Sequence, residues 1–208
     1  SSNENLIIHL GMSGSLRIAK EENLNKHDHI DICFEDGTIL RYCDPRRFGC
    51  FLWSKDIDRH FLLKNLGPEP LGNSFSGDYL FYKSRKRKVP IKNFIMNSKV
   101  VVGVGNIYAS EALFAAGIRP SCMAGKVPRK KYDLLAKEIV HILRKSIEEG
   151  GTTLRDFVGG DSKPGYFKQS LRVYGREGEE CYECFSIIKG KRIGQRASAY
   201  CPKCQSIF

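Results

Sequence analysis

Four cysteines near the C-terminus have the spacing of a metal site. Cys181 and Cys184 form one Cys-x2-Cys pair, and Cys201 and Cys204 form a second after sixteen intervening residues. Two such pairs at tight turns can complete the tetrahedral sulfur shell of one structural Zn²⁺. Disulfides would need an oxidising compartment, for which nothing in the sequence argues, so zinc is the stronger interpretation. The remaining four cysteines lie among apolar or small neighbours and are expected to be small buried hydrophobes.

A glycine-rich segment leads into a predicted helix. Gly103 and Gly105 precede Asn106, and the helix is expected over about residues 106–116, with Gly117 as its stop. Glycines let a backbone approach a partner closely, and a helix N-terminus offers unpaired N–H groups to a phosphate. Asn106 would then donate to a phosphate oxygen. A plain helix cap is an equally good interpretation of an Asn at this position.

Two further groups have side chains suited to nucleic acid. Arg196 lies between the cysteine pairs, where a hairpin tip would offer its guanidinium to a phosphate or leave it solvated. Met12, Arg46, Arg47 and Phe48 fall in predicted turns, and exposed Met and Phe side chains can wedge between base steps. Burial of both apolar residues in a core is the simpler interpretation. The sequence carries no G-x-S-x-G or H-E-x-x-H motif, so the residues alone indicate a basic zinc-ribbon protein that binds nucleic acid rather than a catalyst.

The composition favours a polyanionic partner. The 208 residues include 34 Lys and Arg against 23 Asp and Glu, a net charge of +11. Six of the cations fall between residues 83 and 92 without an intervening acid. The alternative is a basic but inert surface. No run of about 18 apolar residues or signal-peptide segment is present, so we expect no membrane span.

Short apolar runs predict β-structure over residues 6–53. The Asp36-Gly37 pair predicts a hairpin turn in which both central residues have positive φ. His27 and His29 are expected on one side of a strand, where they suit phosphate contact or solvent better than a metal. Several short strands of this kind suggest a sandwich or barrel. Asp44 and Glu111 are lone carboxylates, for which we expect capping or pairing roles.

The rest of the chain predicts helices and a small ribbon. A Gly-, Pro- and Ser-rich stretch over residues 67–78 is typical of a linker. A second helix is expected over about residues 128–149, with a stripe of apolar residues from Tyr132 to Ile147 on one face. Short β segments are expected at residues 186–188 and 197–200.

Eight motifs, taken in order along the chain, resemble those of bacterial formamidopyrimidine-DNA glycosylases. They are residues 9–14 (HLGMSG), 44–49 (DPRRFG), 65–71 (NLGPEPL), 102–109 (VGVGNIYA), 150–154 (GGTTL), 163–167 (KPGYF), 173–176 (VYGR) and the four-cysteine ribbon with 195–197 (QRA). The resemblance covers essentially the whole chain. The first two motifs favour this branch over the related endonuclease VIII branch.

The resemblance implies an α+β protein with DNA bound between two lobes. Its expected domains are a partial N-terminal β-sandwich lobe over 1–66, a linker and basic run over 67–92, a helix–two-turns–helix domain over 93–167 and a zinc ribbon over 168–208. The implied activity is base excision repair, in which a DNA glycosylase and AP lyase removes oxidised purines (8-oxoguanine and formamidopyrimidines) and nicks the strand by β- and δ-elimination. The implied partner is double-stranded DNA with an oxidised purine or abasic site. The implied cofactor is one structural Zn²⁺, and we expect a monomer in the bacterial cytoplasm, associated with the nucleoid.

The resemblance also assigns roles to individual residues. Met12, Arg46 and Phe48 would fill the gap left by a flipped base, with Arg46 facing the orphan cytosine. Asn106 and Arg196 would pinch the phosphates near the lesion, and Arg196 would be the proton donor in δ-elimination. Further DNA-binding positions would be His27 and Lys88. The loop expected to close over the extruded base contains Gly160, Asp161, Ser162, Lys163 and Tyr166.

The family's nucleophile does not align with any residue of this sequence. It is an N-terminal proline amine followed by a glutamate, and a catalytic lysine also precedes the segment that aligns. We therefore expect the polypeptide as given to bind DNA weakly and to be inactive by itself. The alternatives are a non-catalytic DNA-binding zinc-ribbon protein and a structural zinc protein that binds no nucleic acid.

Overall fold

The computed structural model describes residues 4–19, 23–150 and 171–208, which fall into two compact units. The first unit contains the described residues up to Lys64 together with 148–150, and the second contains 65–147 and 171–208. The strands of the first unit are β1 (Asn5–His9), β2 (Ser15–Ala19), β3 (Asp28–Cys33), β4 (Ile39–Cys43) and β5 (Cys50–Ser54). The elements of the second are α1 (Gly77–Ser84), α2 (Ile91–Ile95), α3 (Asn106–Ala115), a 3-10 turn (Ala124–Lys126), α4 (Arg129–Glu148), β6 (Lys189–Ile193) and β7 (Arg196–Tyr200).

The first unit is antiparallel β-structure, as predicted. β1 pairs with β5, and β4 is the central strand of a three-stranded sheet in the order β2-β4-β3. Arg41 of β4 is buried and lies directly opposite Asp31 of β3, to which it donates two hydrogen bonds of 2.8 and 2.7 Å. Opposite charges at facing positions favour this register over a slipped one.

The turn between β3 and β4 is a hairpin of a different type from the predicted one. The Gly37 N–H donates to Phe34 O at 3.0 Å, and the Phe34 N–H donates to Thr38 O at 2.9 Å. Gly37 has a φ of +81°, whereas Asp36 is not among the residues with positive φ. The loop therefore has three residues, with the glycine in the left-handed position, because a third residue removes the need for positive φ at Asp36.

The second unit contains the two helices that the sequence predicts, with ends that agree within one residue. α3 ends before Gly117, whose φ of +66° allows the N–H groups of Gly117 and Ile118 to satisfy the last carbonyls of the helix. α4 buries Tyr132, Leu135 and Ile139 as expected. The prediction is wrong for Ile147, which is 66% exposed.

The stretch expected to be a linker is part of the second unit, into which it packs at its first glycine. The Gly67 N–H donates to Ser98 O at 2.7 Å, and a Cβ on Gly67 would lie 2.7 Å from the Val101 nitrogen. Only glycine allows the two backbone segments to approach so closely. No described helix is both long enough and apolar enough to cross a membrane.

The C-terminal strands form a tight hairpin. β6 pairs with β7 through a two-residue turn, in which Gly194 and Gln195 have φ values of +54° and +65°. The strand predicted at residues 186–188 is wrong, since Ile187 makes only an isolated bridge with Glu180. The β6 strand consists largely of exposed polar residues, so its position carries little hydrophobic signal.

Candidate nucleic-acid interface and metal centre

Met12, Arg46 and Phe48 lie close together on two neighbouring loops of the first unit. Met12 is 65% exposed and Phe48 58% exposed, so the expectation that both are core residues is wrong. The Arg46 guanidinium lies 5.0 Å from the centre of the Phe48 ring. Gly11 has a φ of +67°, and a Cβ there would lie 2.6 Å from the Phe48 carbonyl carbon. Close contact between the two loops thus leaves the apolar side chains facing outward.

The buried carboxylate of Asp44 holds these loops in place. It accepts hydrogen bonds from the Ser13 and Tyr42 hydroxyls at 3.1 and 2.9 Å, and from the Arg46 and Gly49 N–H groups at 3.2 and 2.9 Å. Burial by itself would raise the pKa of Asp44, but these four donors lower it to about 2. Burial and the hydrogen bond to Asp44 raise the pKa of Tyr42 to about 12. The capping role expected for Asp44 is confirmed.

The two histidines lie beside this cluster, though not as predicted. His27 precedes β3 with a φ of +79°, and its carbonyl accepts the Asp44 N–H at 3.0 Å. His29 lies in β3, with its Nε2 2.9 Å from Asp44 O. The expectation that both lie on one side of a strand is wrong because the chain turns at His27.

Asn106 is the first residue of α3 rather than its cap. The N-cap is Gly105, without a side-chain cap, so the capping interpretation of Asn106 is wrong. The Asn106 Nδ2 lies 3.5 Å from the Tyr174 hydroxyl, and its Oδ1 is buried without a partner among the described residues. A Cβ on Gly103 or Gly105 would meet open space. The start of α3 therefore presents accessible backbone beside one carboxamide and one phenol.

Arg196 occupies the hairpin tip that the sequence predicts for it. It is the first residue of β7, directly after the Gly194–Gln195 turn, and its side chain is exposed. The Asn93 carboxamide of α2 packs against Gly194, where an added Cβ would lie 2.2 Å from Nδ2 and would displace that side chain. The tip is thus supported by α2, which limits the positions available to the Arg196 guanidinium.

Lys92 of α2 holds the same hairpin by hydrogen bonds to β7. Its ammonium is fully buried and donates to Ala197 O at 3.0 Å and to Ser198 Oγ at 2.7 Å. Burial and the positive charge of Arg196 lower the pKa of Lys92 to about 8. No described carboxylate forms an ion pair with it. The sequence shows Lys92 only as one cation of a basic run, and the apolar residues Ile91 and Phe94 close to it are the single hint of its burial.

The cations of the basic run between residues 83 and 92 fall into two groups, those that bond within the fold and those that are exposed. Lys92 and Arg85 act inside the fold, and Arg85 lies 3.9 Å over the Phe81 ring and donates to Val127 O. Lys88, in the segment between α1 and α2, is exposed. Three other cations of the run are exposed as well: Lys83 in the last turn of α1, and Lys86 and Arg87 after it. The charge available to a polyanion is smaller than the sequence count indicates.

The four cysteines come together as predicted. Their sulfurs all lie within 4.8 Å of one another, with Sγ–Sγ distances of 3.9 Å for Cys181–Cys204 and 3.4 Å for Cys184–Cys201. A tetrahedral ion with sulfur bonds of about 2.3 Å would need sulfurs about 3.8 Å apart, so the cluster fits such an ion. Hydrogen bonds from Ser186 lower the pKa of Cys184, whereas burial raises the pKa of Cys201 and Cys204, so a bound cation is what would hold all of them as thiolates.

The cluster shares its core with α3. Phe114 of α3 packs with Val173, Cys181 and Cys201 in one buried group. On the same helix Glu111 accepts the N–H groups of residues 172–174 at 2.8 to 3.0 Å. The capping role expected for Glu111 is confirmed. The hydrogen bond that the Tyr174 N–H donates to Glu111 also positions Tyr174, for which the sequence indicates no role.

The predicted lesion loop falls outside the described residues. Its members are Gly160, Asp161, Ser162, Lys163 and Tyr166.

Two family models match the chain. The formamidopyrimidine-DNA glycosylase H2TH domain matches residues 66–158, and the formamidopyrimidine-DNA glycosylase N-terminal domain matches residues 1–51. The formamidopyrimidine-DNA glycosylase of Stutzerimonas stutzeri (strain A1501) is 60% identical over 201 residues, which are 96% of this chain and 74% of the relative. That of Pseudomonas aeruginosa (strain LESB58) is 59% identical with the same two shares.

Solved structures share the fold. The crystal structure of the MutM (Fpg) protein from Thermus thermophilus has a TM-score of 0.88 and 32% identity, covering 99% of this chain and 77% of that one. The Lactococcus lactis Fpg in complex with DNA containing an abasic site also has a TM-score of 0.88, with 33% identity over 98% of this chain and 75% of that one. With these identities across nearly all of its length, the chain belongs to the formamidopyrimidine-DNA glycosylase family.

Proposed function

We propose that this protein acts in base excision repair as a DNA glycosylase and AP lyase. Its substrate would be double-stranded DNA containing an oxidised purine, such as 8-oxoguanine or a formamidopyrimidine, or an abasic site. The Asp44-centred loop pair carries this proposal, because it holds Met12 and Phe48 exposed beside the Arg46 guanidinium. Exposed apolar side chains on rigid loops are what a protein needs to fill the gap left by a base that leaves the stack.

The chemistry of each side chain indicates which part of the DNA it would contact. Met12 and Phe48 would replace the stacking of the extruded base, and Arg46 would donate to the acceptor edge of the orphan base. His27 and Lys88 would contact the DNA backbone. Flipping costs a few kcal/mol, and contacts of this kind offset it.

Asn106 and Arg196 would hold the phosphates near the lesion. The Asn106 carboxamide and the accessible backbone at the start of α3 suit a phosphate oxygen, supported by the helix dipole. Arg196 would pair with a second phosphate and supply the proton for δ-elimination. Lys92 and Asn93 support this role, since they restrict the hairpin that carries Arg196.

The metal of the four-cysteine cluster is proposed to be a single structural Zn²⁺. Cys181, Cys184, Cys201 and Cys204 would all ligate it, which leaves no open position for substrate. Its contribution would be folding free energy for the ribbon that carries Arg196. We also propose that the protein is a monomer that acts in the cytoplasm at the nucleoid, where its substrate is found.

The wedge assignment is tested by DNA affinity. Affinity is measured for a fluorescent duplex with an abasic-site analogue and for the same duplex without damage. The test variant is Met12→Ala/Phe48→Ala. The matched control is Phe34→Ala, which removes a ring that is 51% exposed elsewhere on the first unit. We expect the double variant to lose about 10- to 100-fold in affinity for the lesion duplex, or about 1.4 to 2.7 kcal/mol, with little change for the undamaged one. Equal losses on both duplexes would point to a non-catalytic DNA-binding protein instead.

The ribbon-tip assignment is tested by salt dependence and nicking. Arg196→Ala is expected to weaken DNA binding, to reduce the salt slope by about one and to impair δ-elimination. Arg59→Ala, which removes a 90% exposed guanidinium, is the control. In a form of the protein that carries the family's N-terminal proline, unchanged nicking by the Arg196 variant would contradict the role.

A further inference from the structure

A groove lies on the second unit between the start of α1 and the outer face of α4. Its volume is about 630 Å³, in the range of pockets that hold peptide side chains or small ligands. None of its lining residues belongs to the groups proposed to contact DNA or metal. The floor is apolar and the rim along α4 is basic: Phe75, Ala136 and Val140 form the floor, and Lys137, His141 and Arg144 form the rim.

The basic rim forms no ion pair within the part of the chain that the structure describes. Lys137, His141 and Arg144 lie four and three residues apart on α4, so they follow one edge of the helix over two turns. All three are exposed. Asp133 is the sole acid of the lining and lies at the end of the groove, where Gly77 packs so tightly that a Cβ would be 2.5 Å from the Asp133 Cα.

These features match a peptide better than a nucleic acid. Floor residues with apolar side chains offer no donors to phosphates or bases, but they suit an apolar side chain. The Asp133 carboxylate repels any anion at its end of the groove, so the acidic groups of a ligand belong beside Lys137 and Arg144. A peptide that carries carboxylates beside an apolar side chain satisfies both the rim and the floor.

We propose that this groove is a docking site for an acidic peptide segment of a partner protein, with an apolar side chain between its carboxylates. The carboxylates pair with Lys137 and Arg144 on the rim, and the apolar side chain contacts Phe75 and Val140. The charge complementarity between the basic rim and an acidic segment sets the class of partner. Binding through a single short segment is weak, with a Kd on the order of 100 μM.

Fluorescence anisotropy with a labelled hexapeptide tests the proposal. The probe has two aspartates on each side of a leucine-phenylalanine pair, and a second probe replaces that pair with two serines. We expect saturable binding of the first probe and at least tenfold weaker binding of the second, because the serines cannot use the apolar floor. No binding of the first probe up to about 1 mM would overturn the proposal.

Charge-reversal variants locate the binding. Lys137→Glu/Arg144→Glu is expected to weaken the first probe at least tenfold. Lys130→Glu, an exposed cation of the same helix outside the lining, is the matched control and should leave binding unchanged. The exposed positions make both variants compatible with the fold, which circular dichroism verifies. Equal binding by both variants would overturn the proposal. Weakened DNA binding by the double variant without an effect on the probe would show a nucleic-acid surface instead.

Discussion

Replacing Lys92 with methionine should change how the stability of the protein depends on pH. The buried ammonium has a pKa of about 8 in the fold, against 10.5 for an ordinary lysine, because of burial and the charge of Arg196. Below pH 8 the lysine is protonated in both the folded and unfolded states. Between pH 8 and 10.5 the folded protein has released the proton and the unfolded chain still holds it, so stability rises with pH.

The size of the effect follows from the two pKa values. The free energy of unfolding of the wild type should rise relative to Lys92→Met by roughly 1.4 kcal/mol per pH unit in this window, to a total of about 3 kcal/mol. At pH 7 methionine removes the cost of burying a charge but leaves the Ala197 carbonyl unpaired, a loss of about 1–3 kcal/mol. The two effects oppose each other, so we expect the variant to be within about 2 kcal/mol of the wild type at pH 7.

Urea unfolding of the metal-loaded protein at pH 7, 8.5 and 10 provides the measurement. Only the difference between wild type and variant is used, since other groups titrate in both. Lys88→Met, which removes an exposed lysine nearby, should show no such difference. Parallel pH dependences for the wild type and Lys92→Met would refute a buried, destabilised ammonium at this position.

Three further predictions concern the polar groups that shape the sites. Asp44→Asn should lower the melting temperature above pH 4 and not below pH 2. A carboxylate with a pKa lowered to about 2 stabilises the fold above its ordinary pKa, and it loses that effect as the pH falls through 2. Identical losses of melting temperature at both pH values would contradict this. Cys201→Ser should lose the metal in a colorimetric zinc assay while Cys122→Ser retains it, and one equivalent of zinc in both would exclude the four-cysteine site. Glu111→Gln should reduce the free energy of unfolding by about 1–3 kcal/mol, because one amide oxygen cannot accept three N–H groups as the two carboxylate oxygens do. Urea unfolding measures the difference, and an unchanged unfolding midpoint would show that these hydrogen bonds contribute nothing to stability.

The sequence predicted the elements that depend on local signals. The ends of α3 and α4, the Arg196 hairpin tip and the cysteine cluster follow from glycines, apolar spacing and paired cysteines, and all are confirmed. Sequence periodicity could not predict that Met12 and Phe48 are exposed. Their exposure depends on the Asp44 carboxylate, which joins its own loop to the loop of Met12, about thirty residues earlier in the chain. The burial of Lys92 was missed for the same reason, since its partners are about a hundred residues away.

The core that Phe114 shares with Cys181 and Cys201 makes α3 and the cysteine cluster one cooperative unit. The helix that begins at Asn106 and the strand that begins at Arg196 are thus stabilised by the same buried side chains. Oxidation of one thiol in the cluster would therefore disturb α3 as well as the ribbon, so that damage at the cysteines would reach Asn106 and Arg196 together.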